Sequence, residues 1–305
     1  MTTSGKRFLV TGASGFVGRH LVGLILGQGH QVVALDRVVD ASLPLEVESV
    51  LVDLRDPASF GAIPRRWDGV IHLAGASIPS LFANIAPVML NLEITLNLLD
   101  HLEDSKVLLV SSCHVYAPSE QRRTESDRIL PQGRYGLSKH LLEQVAPHYQ
   151  GRLDVRVARP FNHLGPGLRP ELMVSSLLRR LSSSSAEDRA PVQMEGWNSV
   201  RDFIDVRDVA AAYLAILGLE APAPSIFNVC TGRATSVQEV VQVVLDLLGQ
   251  QRDIRFQTRP NSRDDIPYLV GDPSRLNQAA GWSACHSLVD SLRSMLHIYQ
   301  HERLP

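Results

Sequence analysis

The chain has 305 residues, 44% of them hydrophobic, which allows one large or two modest domains around a sizeable core. Lys plus Arg number 30 against 32 Asp plus Glu, so there is no basic field of the kind that binds nucleic acid non-specifically. No apolar run reaches the ~20 residues that cross a bilayer, and the scattered Cys113, Cys230 and Cys285 form neither a disulfide framework nor a CxxC metal site.

The N-terminal MTTSGKRFLVTG enters a short apolar strand and a glycine turn without a signal-peptide core, so a cytoplasmic protein is expected, with no membrane, nucleic-acid or metal partner. Strands are predicted at 7–12, 31–36, 49–53, 69–75, 106–112 and 154–160, as short apolar runs that end in small or acidic residues. Helical periodicity falls between them at 17–28, about 84–103 and 136–149, with Pro87 bearing on where the second begins. This alternation predicts an α/β fold, a Rossmann-type doubly wound parallel sheet over residues 1–160. Residues 161–305 are expected to form mainly a smaller, irregular α/β substrate-binding domain, with segments near 203–231 returning to the first. FNHLGPGLRP reads as an irregular loop and SSSSAEDRAP as a mobile one. Further helices are predicted at 205–220, 236–249 and 287–300, and strands at 225–231 and 253–258.

GASGFVG, residues 12–18, follows the first strand and opens the first helix. In a pyrophosphate site one glycine makes the tight turn, one admits the phosphates and one lets helix and strand pack closely, which casts Gly12, Gly15 and Gly18, with Phe16 and Val17, as cofactor-binding residues. Asp36 ends the second strand about 20 residues on, where a carboxylate binds a ribose 2′-hydroxyl. That carboxylate would repel a 2′-phosphate and favours NAD; the adjacent Arg37 can accommodate one and keeps NADP open. Asp53 either accepts from the adenine amino group or caps a turn.

YGLSK, residues 135–139, places Tyr135 and Lys139 one helical turn apart on one face. A tyrosine releases its proton near pH ~10, and a neighbouring ammonium stabilises the phenolate. SSCHVY, residues 111–116, lies upstream with Ser112 at the ligand end of its strand; Ser111 and Cys113 read as strand-end packing.

Together with HLAG (72–75), RPFNHLGPG (159–167), RDFIDVRDVA (201–210) and FNVCTGR (227–233), these motifs resemble the extended short-chain dehydrogenases/reductases of the NAD-dependent epimerase/dehydratase family, which act on nucleotide sugars. The resemblance implies Tyr135 as acid/base, Lys139 orienting the cofactor ribose, and Ser112 hydrogen-bonding the reacting sugar oxygen. It adds Leu54, Leu73, Ala74 and Gly75 to the cofactor wall, and Asn162 and Arg201 to the sugar diphosphate. Arg263 or Arg259 would supply a second arginine, although RPNSRDDIP departs from the usual spacing. A homodimer through the helices at 84–103 and 136–149 is also implied.

Dehydratases of this family carry an Asp-Glu pair where this chain has Cys113 and His114, so 4,6-dehydration is not expected. RPFNHLGPG, FNVCTGR and DDIPYLVGDPSRL most resemble the GDP-4-keto-6-deoxy-D-mannose reductases, which form GDP-rhamnose. Such an enzyme reduces the C4 keto group with NAD(P)H, Tyr135 supplying the proton. The alternative is a UDP-glucose/UDP-galactose-type 4-epimerase with bound NAD, using the same residues; His114 is then a candidate proton shuttle. A non-catalytic dinucleotide sensor is the remaining reading.

Overall fold

The computed structural model describes residues 5–38, 43–184, 189–195, 199–223, 225–257 and 266–301. The first half alternates β1 (Arg7–Thr11), α1 (Phe16–Gly27), β2 (Gln31–Asp36), β3 (Glu48–Leu51), β4 (Gly69–His72), α2 (Ala86–His101), β5 (Lys106–Val110), α3 (Gly133–Val145) and β6 (Asp154–Pro160). The second half holds β7 (Asn162–Leu164), α4 (Met173–Ser182), β8 (Val192–Glu195), β9 (Val200–Arg201), β10 (Phe203–Asp205), α5 (Val206–Gly218) and β11 (Ile226–Val229). It continues through β12 (Thr235–Ser236), α6 (Val237–Leu248), β13 (Ile254–Gln257), β14 (Tyr268–Leu269), α7 (Ser274–Ala280) and α8 (Leu288–His301).

The main sheet has seven parallel strands in the order β11-β6-β5-β4-β1-β2-β3. Successive side chains of each strand enter opposite layers, as the two-residue period of an extended chain requires. Phe8 and Val10 of β1, Val32 and Ala34 of β2, and Leu108 of β5 pack with Leu21, Val22 and Ile25 of α1 and Val209, Tyr213 and Ile216 of α5. Leu9, Val33, Leu35, Val107 and Leu109 pack against Ile94, Leu98 and Leu99 of α2. Both faces being covered, the strands read as near-continuous apolar runs. A third cluster joins α4, α6 and α8 to β8.

Six strands were predicted for this sheet; β11, from the second half, makes the seventh by pairing with β6 from Ile226↔Val157 to Val229↔Pro160. Asn162–Leu164, expected as loop, pairs in parallel with Phe203–Asp205. Pro87 lies within the first turn of α2, where its missing N–H costs nothing, so the helix starts at Ala86. The chain runs outward from β1 through β2 and β3, then crosses back to β4. The carboxyl ends of β1 and β4 therefore flank the topological switch point, where open α/β sheets bind ligands.

Candidate active site

Three glycines shape the loop after β1. Gly12 adopts φ +69°, a region that favours glycine, and a Cβ there would lie 2.9 Å from the Ala74 nitrogen. A Cβ on Gly18 would sit 2.4 Å from the Gly12 carbonyl oxygen, so only glycine lets α1 pack onto its own loop. Gly15 is the N-cap of α1, and no side chain caps that end. The first-turn amides therefore face outward with the positive end of the helix dipole, the arrangement that binds a pyrophosphate.

This loop opens a cleft of about 580 Å³ at the switch point. Every residue expected at the cofactor lines it: Gly12, Gly15, Phe16, Val17, Gly18, Asp36, Arg37, Asp53, Leu54, Leu73, Ala74, Gly75, Tyr135 and Lys139. The Asp36 carboxylate accepts from the Ser14 amide at 3.0 Å and the Ser14 hydroxyl at 2.8 Å, which fixes it beside the glycine loop. Arg37 next to it is exposed. The Asp53 carboxylate caps a turn, accepting from the Arg55 amide at 3.0 Å and from Arg55 Nε at 2.9 Å; this pairing holds its carboxyl at about 2. A glycine cradle, an uncapped helix start and a carboxylate at the end of β2 fit a dinucleotide running from the adenosine end near Asp36 to the reacting end near Tyr135.

A buried polar chain fixes the other wall. Thr11 Oγ1 donates to or accepts from His72 Nδ1 at 2.8 Å and receives the Ala74 amide at 3.1 Å, while His72 Nε2 meets Thr95 Oγ1 at 3.0 Å. Burial lowers His72 to about 3, so it stays neutral and structural. Asn91 continues the chain: its Oδ1 accepts from the Ala76 amide at 2.8 Å and its Nδ2 donates to Ser138 Oγ at 2.9 Å, which ties the loop after β4 to α3.

Gly136 explains how α3 reaches the site, because a Cβ there would lie 2.4 Å from the His114 carbonyl oxygen. The helix thus settles on the short 3₁₀ turn Cys113–Val115, whose N-cap is Ser112, accepting from the His114 amide at 3.3 Å. The Tyr135 ring packs edge-on between Phe82 and His114, at centroid distances of 5.5 and 5.4 Å. Burial pushes Tyr135 up to about 12, while the nearby Ser112 hydroxyl pulls the other way. Burial also lowers Lys139 to about 8, and its ammonium donates to the Val110 carbonyl at 2.9 Å. The YxxxK spacing therefore does put both groups on one wall, yet burial and not the ammonium sets the tyrosine's proton affinity here.

Cys113 is buried and its thiol is raised to about 12 by burial, an inert packing group. Ser111, read as packing alone, does more: it lines the cleft, and its hydroxyl donates to Glu143 Oε1 at 2.5 Å. Asn162 is half-buried on β7, with Oδ1 unbonded among the described residues. Arg201, on β9, donates through Nη1 to the Val200 carbonyl at 3.0 Å and lies close enough to favour the Cys113 thiolate. Its acidic neighbours face elsewhere: Asp202 accepts from Thr231, Gly232 and Gly271, and Asp205 pairs with Arg207. Arg259 and Arg263 lie outside the described residues.

The sequence reading missed Pro160, His163 and Tyr213, which also line the cleft. Tyr213, from α5, is fully buried and its hydroxyl has no hydrogen-bond partner among the described residues. Leaving a buried hydroxyl unmet costs about 1–3 kcal/mol. Nothing in the local pattern of α5 announces it.

Residues 8–230 match the family model described as "NAD dependent epimerase/dehydratase family". The chain belongs to that family. A GDP-6-deoxy-D-mannose reductase of Pseudomonas aeruginosa is 32% identical, covering 95% of this chain and 96% of that protein. A UDP-glucose 4-epimerase of Neisseria meningitidis serogroup C is 27% identical over 94% of this chain and 95% of its own. The solved structure of RMD from Pseudomonas aeruginosa complexed with NADPH superposes with a TM-score of 0.81 at 30% identity, covering 97% of this chain and 99% of that one. Membership makes the chain an NAD(P)-dependent enzyme of nucleotide-sugar chemistry on a Rossmann-type fold. Among the described residues, no helix is long and apolar enough to cross a membrane.

Proposed function

We propose that this enzyme reduces the C4 keto group of a nucleotide-diphosphate sugar, with a GDP-4-keto-6-deoxyhexose as the substrate class. The observation that carries the reading is Tyr135 in the cleft one helical turn from Lys139, its ring packed against His114 and its hydroxyl kept protonated by burial. A reductase needs a proton donor at the sugar O4, and a tyrosine raised to about 12 is loaded with that proton at neutral pH. Ser112, the N-cap of the 3₁₀ turn beneath Tyr135, would polarise the carbonyl; Lys139 anchors the cofactor ribose. When bound, the reduced nicotinamide supplies the hydride. The glycine loop would hold its pyrophosphate, Asp36 and Arg37 the adenosine ribose, and Asp53 with Leu54 the adenine.

Asp36, pinned by Ser14, supports NADH over NADPH, which a comparison of the two dissociation constants tests. Residues 1–160, with α5 and β11 returning to their sheet, form the cofactor half and the other later segments the sugar half, where Asn162 and Arg201 would meet the diphosphate. The similarity to GDP-6-deoxy-D-mannose reductase places a GDP sugar ahead of a UDP sugar. The similarity to a UDP-glucose 4-epimerase favours the second reading, 4-epimerisation, in which His114 against the Tyr135 ring could relay protons. Oxidation of one equivalent of NADH or NADPH per GDP-4-keto-6-deoxy sugar is the result expected. Interconversion of UDP-glucose and UDP-galactose without net cofactor consumption would replace it with the epimerase.

A homodimer is part of the same reading, supported by Ile85, Met89 and Leu137, which expose apolar surface at and beside α2 and α3. Light scattering of the full chain measures it. The three free cysteines support a reducing, cytoplasmic compartment, which fractionation of the producing cells tests.

A further inference from the structure

Outside the cleft, three chemically different donors converge where α5 meets the segment between α7 and α8. Asp208 lies in the first turn of α5 and is buried; Cys285 and His286 follow α7, exposed and half-buried. Cys285 Sγ lies 3.1 Å from Asp208 Oδ1, His286 Nδ1 lies 2.8 Å from the same oxygen, and the sulfur and nitrogen are 3.4 Å apart. The second Asp208 oxygen accepts the amides of Cys285 and His286 at 3.1 and 2.9 Å, which holds the backbone so that both side chains face the carboxylate.

Without an ion, the thiol and the imidazole can both hydrogen-bond to Oδ1, since a carboxylate oxygen accepts two donors. The thiol and the imidazole both address Oδ1, and they do so with the same imidazole nitrogen that faces the sulfur. A catalytic relay needs the two ring nitrogens on opposite sides, one toward the nucleophile and one toward the carboxylate. Here a single nitrogen meets both, which does not suit a relay and is compatible with ligands around a centre. Zinc bonds of about 2.0 Å to oxygen and nitrogen and about 2.3 Å to sulfur give tetrahedral edges of roughly 3.3–3.6 Å, and each observed separation falls within about half an ångström of them.

We propose that Asp208, Cys285 and His286 form a binding site for a thiophilic, borderline-soft divalent cation of the zinc type. Thiolate, imidazole and carboxylate are the ligand set that such an ion selects over magnesium or calcium. Cys285 is exposed, so water can reach a fourth coordination position. The ion clips the segment that leads into α8 onto the first turn of α5. No spacing rule finds this site, because its carboxylate lies 77 residues before the cysteine.

Titration of the full chain with Co²⁺ tests the site, because thiolate coordination gives an intense near-ultraviolet charge-transfer band. One equivalent should produce the band and Zn²⁺ should abolish it. The variant Cys285→Ser should remove the band, and His286→Gln should weaken Zn²⁺ binding on the order of 10²-fold, at least the scale on which groups outside the coordination sphere act. Both side chains are at least partly exposed, so neither change opens the core, and circular dichroism of each variant verifies the fold. The other thiols, Cys113 and Cys230, are buried and cannot stand in. Absence of the band in the parent protein, or an unchanged band in Cys285→Ser, overturns the site.

Discussion

Glu143 and Arg159 form a fully buried, two-pronged ion pair, with Nε to Oε1 at 2.8 Å and Nη2 to Oε2 at 2.6 Å. Glu143 lies one turn beyond Lys139 on α3, and Arg159 lies on β6, so the pair bolts the helix that carries Tyr135 to the sheet. Ser111 donates to the same carboxylate, Arg159 Nη1 donates to the Tyr116 hydroxyl at 3.0 Å, and Tyr116 donates to Asn228 at 2.6 Å. Removing one partner leaves an uncompensated buried charge. Arg159→Met should therefore cost about 3–5 kcal/mol of stability, read by urea denaturation. A loss below about 1 kcal/mol would show that the charges are hydrated or re-paired.

Tyr135→Phe removes the proposed proton donor and leaves the ring, which still packs between Phe82 and His114. Turnover should fall on the order of 10²-fold or more while dinucleotide binding stays within twofold or so, as measured by steady-state kinetics and fluorescence titration. Near-normal turnover would take Tyr135 out of the mechanism.

The pH profile follows from two opposed shifts. Tyr135, raised to about 12, keeps its proton throughout the usual assay range; Lys139, lowered to about 8, loses its own as pH rises through that value. A reduction that needs both protons should hold steady below pH 8 and decline above it. The alkaline limb in kcat/KM should vanish in Lys139→Met, whose residual rate is low and flat. A limb that persists unchanged in that variant belongs to another group.

Tyr213 offers the cleft an unpaired buried hydroxyl. Its neighbours in the cleft wall include Val110, Ser111 and Pro160, at the ends of β5 and β6, where the nicotinamide half would lie. Tyr213→Phe should weaken NAD binding about five- to tenfold, the value of one hydrogen bond, and leave ADP binding unchanged. Calorimetry with the two ligands separates these outcomes, and equal affinities for both proteins would return Tyr213 to the core.

What the sequence made legible was local. Strand, glycine turn and helix sit next to one another in the chain, and so do Tyr135 and Lys139, so period and spacing pointed to residues that the fold brings to one cleft, with Leu54, Leu73, Ala74 and Gly75 added by the family resemblance. The seventh strand was readable as a strand, but its place beside β6 depends on a crossover that spacing cannot show. Ser111, Glu143 and Arg159 escaped because their partners lie 16 to 43 residues away in the networks described, and Tyr213 because its hydroxyl has no partner among the described residues. The effect of burial escaped for the same reason: YGLSK suggests a tyrosine eased by its lysine, whereas the folded cleft raises Tyr135 and lowers Lys139. The pairing of Asp208 with Cys285 and His286 is a third case of chemistry assembled only by tertiary contact.

The central claim is net hydride delivery to C4 of a nucleotide-linked keto sugar, and isotope transfer tests it most directly. The enzyme would be incubated with a GDP-4-keto-6-deoxyhexose and NADH deuterated at the transferring position, and the product read by NMR and mass spectrometry. The account predicts one deuterium at sugar C4 and one equivalent of NAD formed per product. A product without deuterium at C4, or sugar turnover that leaves the cofactor pool unchanged, would contradict it.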